Sequence, residues 1–131
     1  LNRLEQILAA RALSASGADE GLLCDPHGNV IEAVSANLFI RTGDTLVTPD
    51  VAHCGVGGVA REHVLEVAPA LGYEPQVAPL RRGDVVAADE VFLTNALRGA
   101  RPVASLDGVR WHRFAAARAV HGVLSGEVLL P

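Results

Sequence analysis

The chain has 131 residues, half of them hydrophobic, with a formal net charge of -4. That apolar content suits a single domain with a real core and excludes a disordered polypeptide. The acidic balance argues against nucleic acid as the main partner, no apolar run is long enough for a bilayer, and no signal-peptide pattern opens the chain.

Leu1, Leu4, Ile7, Leu8 and Ala12 keep the spacing of a helix with one apolar face, with Asn2, Arg3, Glu5 and Gln6 on the other. No capping residue precedes it and the chain has no methionine, so the chain is expected to be a portion of a longer protein. Residues 14–20, "SASGADE", read as a polar loop. "GLLCD" is a short strand, "DPHGN" a turn and "VIEAVS" the returning strand. "NLFIR", the turn "TGD" and "TLVTP" make a second hairpin.

Residues 51–58, "VAHCGVGG", form a glycine-rich loop that opens onto a helix, "VAREHVLEVAPAL". Pro69 should disturb its last turn and Gly72 end it. Residues 73–80, "YEPQVAPL", read as an edge strand, because Pro75 and Pro79 cannot serve a central one. "RRGDVVAADE" holds a short helix and "VFLTNAL" a buried strand. "PVASL", the turn "DG" and "VRW" form a last hairpin, and "FAAARAVHGVLSGEV" a closing helix. Hairpins mixed with helices predict an α+β or pseudo-barrel domain.

Cys24 and Cys54 show no CxxC spacing and read as reduced, mostly packed thiols. The five histidines form no metal spacing, so no metal is expected. Ser35 lacks the glycine frame of a nucleophile elbow.

Three constellations remain. "GVGG" at a helix start suits an anion, because glycines let a backbone approach a ligand and the first helical N–H groups are open. It suits a structural turn equally well. Thr94 and Asn95 close the apolar strand, either as ligand positions or as a plain strand exit. Glu32 lies in "NVIEAVSANLFI", where alternation groups it with Val30 and Val34. A carboxylate there needs a positive or hydrogen-bonding partner; the plainer alternatives are a solvated face or an arginine pair.

Together these segments resemble the class IV aminotransferase family, the pyridoxal 5'-phosphate enzymes of fold type IV. The resemblance rests on "LNRLEQILA", "ADEGLLCDPHGNVIEAVSANLFI", "LVTPDVAHCGVGGVAR", "AADEVFLTNALRGARPV" and the "DG" turn. It runs from Leu1 to about Trp111. Each piece is ordinary, and their order and spacing carry the signal.

The resemblance implies the C-terminal pseudo-barrel domain of the D-amino-acid/branched-chain aminotransferase-like fold, occupying residues 1–131. It implies that Glu32 pairs with the pyridine nitrogen of the cofactor. The N–H groups of Val59 and Ala60 would bind its phosphate, Asn95 and Ala96 would form a second phosphate segment, and Ser35, Ala36 and Asn37 would line the ring. Charge and position assign Arg98 to a substrate carboxylate. "LNRLEQ" and "TNALRG.RPV" are more similar to the lyase branch, which splits 4-amino-4-deoxychorismate into 4-aminobenzoate and pyruvate for folate synthesis. Branched-chain aminotransferases usually carry "GENLF" where this chain has "SANLF".

The family's Schiff-base lysine falls just upstream of "LNRLEQ", and every basic residue here is arginine. The chain is therefore expected to lack that lysine and the family's N-terminal domain, and to be inactive and poorly soluble alone. The alternatives are a branched-chain or D-amino acid aminotransferase and a non-catalytic domain. Expected partners are a small-molecule substrate, the protein's own N-terminal domain and a second copy in a homodimer, in the cytoplasm. No nucleic acid or membrane partner is expected.

Overall fold

A computed structural model describes residues 20–33, 36–50 and 58–127 of the protein. The helix expected over residues 1–12, Ser35, Cys54 and nearly all of the glycine-rich loop lie outside the described residues.

Strands β1 (Leu22–Cys24) and β2 (Asn29–Ala33) pair antiparallel. The Asp25 carboxylate holds their turn, accepting from the N–H groups of His27 and Asn29 at 2.9 Å each. Gly28 takes φ 85° there, a value that favours glycine. Strand β3 (Asn37–Thr42) folds back on β4 (Thr45–Thr48). Helix α1 (Val59–Val67) runs into a 3-10 turn, Ala68–Leu71, which ends at Gly72 in the left-handed conformation. Pro69 sits in that tightened turn, as its missing N–H requires.

Residues 73–80 do not make one strand. Strand β5 (Glu74–Val77) pairs parallel with β4 and is the edge its proline demands. Pro79 then interrupts the chain, and β6 (Leu80–Arg81) joins β2 in the other sheet, where Leu80 is buried. A proline cannot extend the ladder, so it marks where the chain changes sheets.

Helix α2 (Arg82–Ala87) leads into β7 (Glu90–Asn95), the buried strand. The expected strand over residues 102–106 is also divided. Strand β8 (Gly99–Pro102) returns along β7, while β9 (Ser105–Leu106) and β10 (Val109–Arg110) form a small hairpin around Asp107 and Gly108. The cause is local. Asn95 Oδ1 accepts from the N–H groups of Leu97 at 3.0 Å and Arg98 at 2.6 Å, closing a turn directly after β7. Helix α3 (Ala115–Leu124) is the closing helix.

The strand orders are β1-β2-β6 and β5-β4-β3-β7-β8, with the β9–β10 hairpin apart. The mixed α+β class is as expected. Alternation along β3 and β7 divides the core between the faces of the larger sheet. Phe39 and Phe92 pair across the strands with rings stacked at 5.3 Å, and meet Val64 of α1 and Ala116, Ala117 and Val120 of α3. Leu38, Ile40, Val91 and Leu93 meet Val30, Leu80, Val85 and Trp111 on the other face. Cys24 is a free thiol that is exposed, not packed, because it stands at the bulged end of β1.

Candidate functional site

Four buried residues in a row, Val30 to Ala33, show that β2 is covered on both faces. Glu32 is the third of them and is 6% exposed. Its carboxylate is therefore neither a solvated group nor on an outer face.

Glu32 and Ala33 form one wall of a cavity of about 330 Å3. Ala36 and Asn37 continue that wall where the chain enters β3. The start of α1 supplies Gly58, Val59 and Ala60, and the end of β7 supplies Thr94, Asn95 and Ala96. Three segments far apart in sequence thus meet at one end of the larger sheet. The register explains it: Asn37 of β3 lies opposite Thr94 of β7.

The start of α1 is open. Its N-cap is Gly58, which has no side chain, and among the described residues no side-chain hydrogen bond caps the helix. The first N–H groups of a helix have no partner within it, and the helix dipole adds positive potential there. A Cβ built on Gly58 would collide with Asn37 Oδ1, so glycine lets the helix start approach the sheet. Arg61, 6% exposed, donates to the Pro49 carbonyl at 3.1 Å and to Glu62 at 2.7 Å. It thereby ties α1 to the chain that follows β4.

The β7–β8 turn forms the opposite rim. Gly99 has φ 71°, and a Cβ there would come within 2.6 Å of His121 Nδ1. That nitrogen accepts from the Ala100 N–H at 3.3 Å, so α3 supports the turn from below. Val59, on the cavity, and Leu97, in the β7–β8 turn, are 83% and 97% exposed.

Of the expected residues, Glu32, Ala36, Asn37, Val59, Ala60, Asn95 and Ala96 are brought together on this cavity. Ser35 lies outside the described residues. Arg98 is exposed in the β7–β8 turn and is not among the lining residues. Thr94, raised as a candidate ligand position but given no role toward the cofactor, and Gly58, given none, also line the cavity. Their signal was present, as the last apolar-strand residue before Asn95 and the last glycine before the helix. Asp25 has its carboxyl held below the usual carboxylate range, by the Asn29 N–H above all, but it belongs to the β1–β2 turn. Among the described residues no cluster of His, Cys, Asp and Glu suits a metal ion.

The model of the class IV amino-transferase family matches residues 1–106. The chain is 36% identical over 105 residues to an aminodeoxychorismate lyase of Vibrio harveyi, covering 80% of this chain and 39% of the lyase. A 4-amino-4-deoxychorismate lyase structure from Pseudomonas aeruginosa superposes with TM-score 0.87 at 38% identity, over 98% of this chain and 47% of that one. A branched-chain aminotransferase of T.th., solved with pyridoxamine 5'-phosphate, superposes with TM-score 0.82 at 29% identity, over 94% of this chain and 43% of that one. The chain thus spans less than half the length of these relatives. Its α+β architecture is the fold of the class IV enzymes, and with most of its length matched by the family model, the chain belongs to the class IV amino-transferase family.

Proposed function

We propose that the chain is the cofactor-binding, C-terminal part of a pyridoxal 5'-phosphate-dependent lyase that cleaves 4-amino-4-deoxychorismate to 4-aminobenzoate and pyruvate. One observation carries the cofactor reading: a buried carboxylate and an uncapped helix start share one cavity of about 330 Å3. The two features ask for opposite charges, a protonated nitrogen at Glu32 and an anion at Val59 and Ala60. A small molecule with a cationic ring and a phosphate satisfies both, so the residues present fit pyridoxal phosphate.

When bound, the cofactor supplies an electron sink for bond cleavage next to the substrate amine. Glu32 holds a proton on the ring nitrogen, which deepens that sink. The N–H groups of Val59 and Ala60 fix the phosphate, assisted by the turn at Asn95 and Ala96. Ala36 and Asn37 line the ring, together with Ser35 in the family pattern. Arg98, on the exposed turn, is assigned to the substrate carboxylate. The lysine that class IV chemistry requires, a further phosphate contact and part of the substrate pocket come from the remainder of a longer protein, which acts as a homodimer in the cytoplasm.

The lyase assignment is supported by the 36% and 38% identities to lyases, narrowly above the 35% to a "Putative branched-chain-amino-acid aminotransferase" of Methanocaldococcus jannaschii. It is supported also by "SANLF" in place of "GENLF". Amino transfer is the second reading, favoured by the equally extensive match to an aminotransferase fold. The test is an assay of the full-length protein with 4-amino-4-deoxychorismate, following 4-aminobenzoate and pyruvate. It is run beside amino transfer from branched-chain and D-amino acids to a 2-oxo acid. Robust transfer with no 4-aminobenzoate would exclude the lyase.

A further inference from the structure

Arg61 is the third residue of α1 and the one arginine among the buried described residues, 6% exposed. A cation is unfavourable there on two counts. Burial strips water from the guanidinium, and the positive end of the helix dipole lies in the same turn. Its contacts offset this only in part. Nη2 donates to the Pro49 carbonyl at 3.1 Å, and Nη1 pairs at 2.7 Å with Glu62, a side chain 63% exposed and screened by water. Arg41, by contrast, meets a carboxylate that is 0% exposed. Nε of Arg61 is buried and has no hydrogen-bond partner among the described residues. The Glu62 N–H donates to the Gly58 carbonyl at 3.1 Å, the first bond of the helix, so the N–H groups of Val59, Ala60 and Arg61 have no partner within it. Side chain and backbone thus gather positive charge at one turn. Glu32, the buried carboxylate on the cavity, is the ring nitrogen's partner in the cofactor reading.

We propose that Arg61 is a positioning residue for the cofactor, acting on its anionic end through charge and not through contact. Arg61 is not among the residues that line the cavity, so its effect passes through the helix turn it belongs to. Its guanidinium holds the start of α1 to the chain after β4, and its charge adds to the helix dipole where Val59 and Ala60 present their N–H groups. An exposed arginine would be screened; one 6% exposed keeps its field. The bound anion in turn supplies the countercharge that Glu62 gives only weakly. The inference rests on the cofactor reading above and adds to it a preference set by charge, for a phosphate ester over its uncharged alcohol.

The experiment compares Arg61→Gln and Arg61→Lys with the parent in the full-length protein, titrating pyridoxal 5'-phosphate and pyridoxal by calorimetry. Arg61→Gln keeps a donor for the Pro49 carbonyl and removes the charge. It is expected to lower the preference for pyridoxal phosphate over pyridoxal about tenfold, the order of effect of one nearby charge at a partly buried site, with pyridoxal binding unchanged. Arg61→Lys, which keeps the charge, restores most of that preference. The preference is a ratio within one folded protein, so loss of stability alone leaves it unmoved. Arg61→Met, which matches the stem of the side chain, gives the same reading where Arg61→Gln does not fold. A charge-free variant with the parent's preference, or one that loses both ligands in parallel, overturns this inference alone and leaves Arg61 as a structural tie. A parent that does not prefer pyridoxal phosphate to pyridoxal overturns the cofactor reading with it.

Discussion

At Glu32 the fold keeps a carboxylate 6% exposed among apolar neighbours, a placement that costs energy unless a partner favours the charged form. The oddity was legible in "NVIEAVS"; that both faces of β2 are covered was not, because alternation predicts two faces and says nothing of what covers them. Glu32→Gln keeps the shape and removes the charge. Turnover of the full-length protein should fall roughly 10- to 100-fold, in line with loss of a hydrogen bond to a charged group, with the melting temperature nearly unchanged. Turnover within twofold of the parent would separate Glu32 from the cofactor. Gly58→Ala forces Asn37 to move and should weaken pyridoxal phosphate binding several-fold while changing stability by less than about 1 kcal/mol. Asp25 supplies a pH dependence. Its carboxyl lies below the ordinary value of 3.8, chiefly through the Asn29 N–H, so its contribution is complete above the unfolded value and is lost as pH falls through the folded one. The stability gap between parent and Asp25→Ala, measured by urea unfolding, should therefore be flat at neutral pH and shrink below about 3.8. A gap that persists at lower pH would assign the effect to something other than the charge.

At the scale of elements, α3 shows what spacing alone misses. Its N-cap, Phe114, offers no acceptor. The cap comes instead from Glu90 on β7, which is 0% exposed and accepts from the N–H groups of Ala116 at 3.0 Å and Ala117 at 2.7 Å. Arg41 Nε completes the set at 2.8 Å. The carboxylate is neutralised by a guanidinium and by a helix start together. Nothing within "AADEVFL" announces this, because the partners come from β3 and from the far end of the chain. Glu90→Ala leaves Nε of the largely buried Arg41 and two helical N–H groups unmatched, and should destabilise the protein by about 3–5 kcal/mol in urea unfolding. A loss under about 1 kcal/mol would mean that α3 docks by its apolar face alone. Gly99→Ala meets two penalties, a left-handed backbone and His121 Nδ1 at 2.6 Å, so it should cost more than the ~1 kcal/mol of the backbone term. Closing of the β7–β8 hairpin was hidden too. Asn95 ends the apolar run as expected, and its side-chain Oδ1 then turns the chain sharply enough to start β8 at Gly99.

For the whole molecule, the chain spans 39% of one lyase relative and 47% of another, and Val59 on the cavity and Leu97 in the β7–β8 turn are exposed. Large apolar side chains exposed at 83% and 97% suit a surface that further polypeptide covers. The 131-residue chain expressed alone should therefore self-associate, as sedimentation velocity would reveal. A monomer with a cooperative melt would contradict that. The sequence by itself determined which segments matter: the apolar strand carrying Glu32, the glycines before a helix, and the strand ending in Thr94 and Asn95. These are local properties, set by side-chain type and period. Only the tertiary structure decided that they line one cavity. That depends on the pairing of β3 with β7 and on Gly58 bringing α1 close to Asn37, contacts between residues distant in the chain. Periodicity determines which face a residue takes, and long-range pairing determines what that face meets.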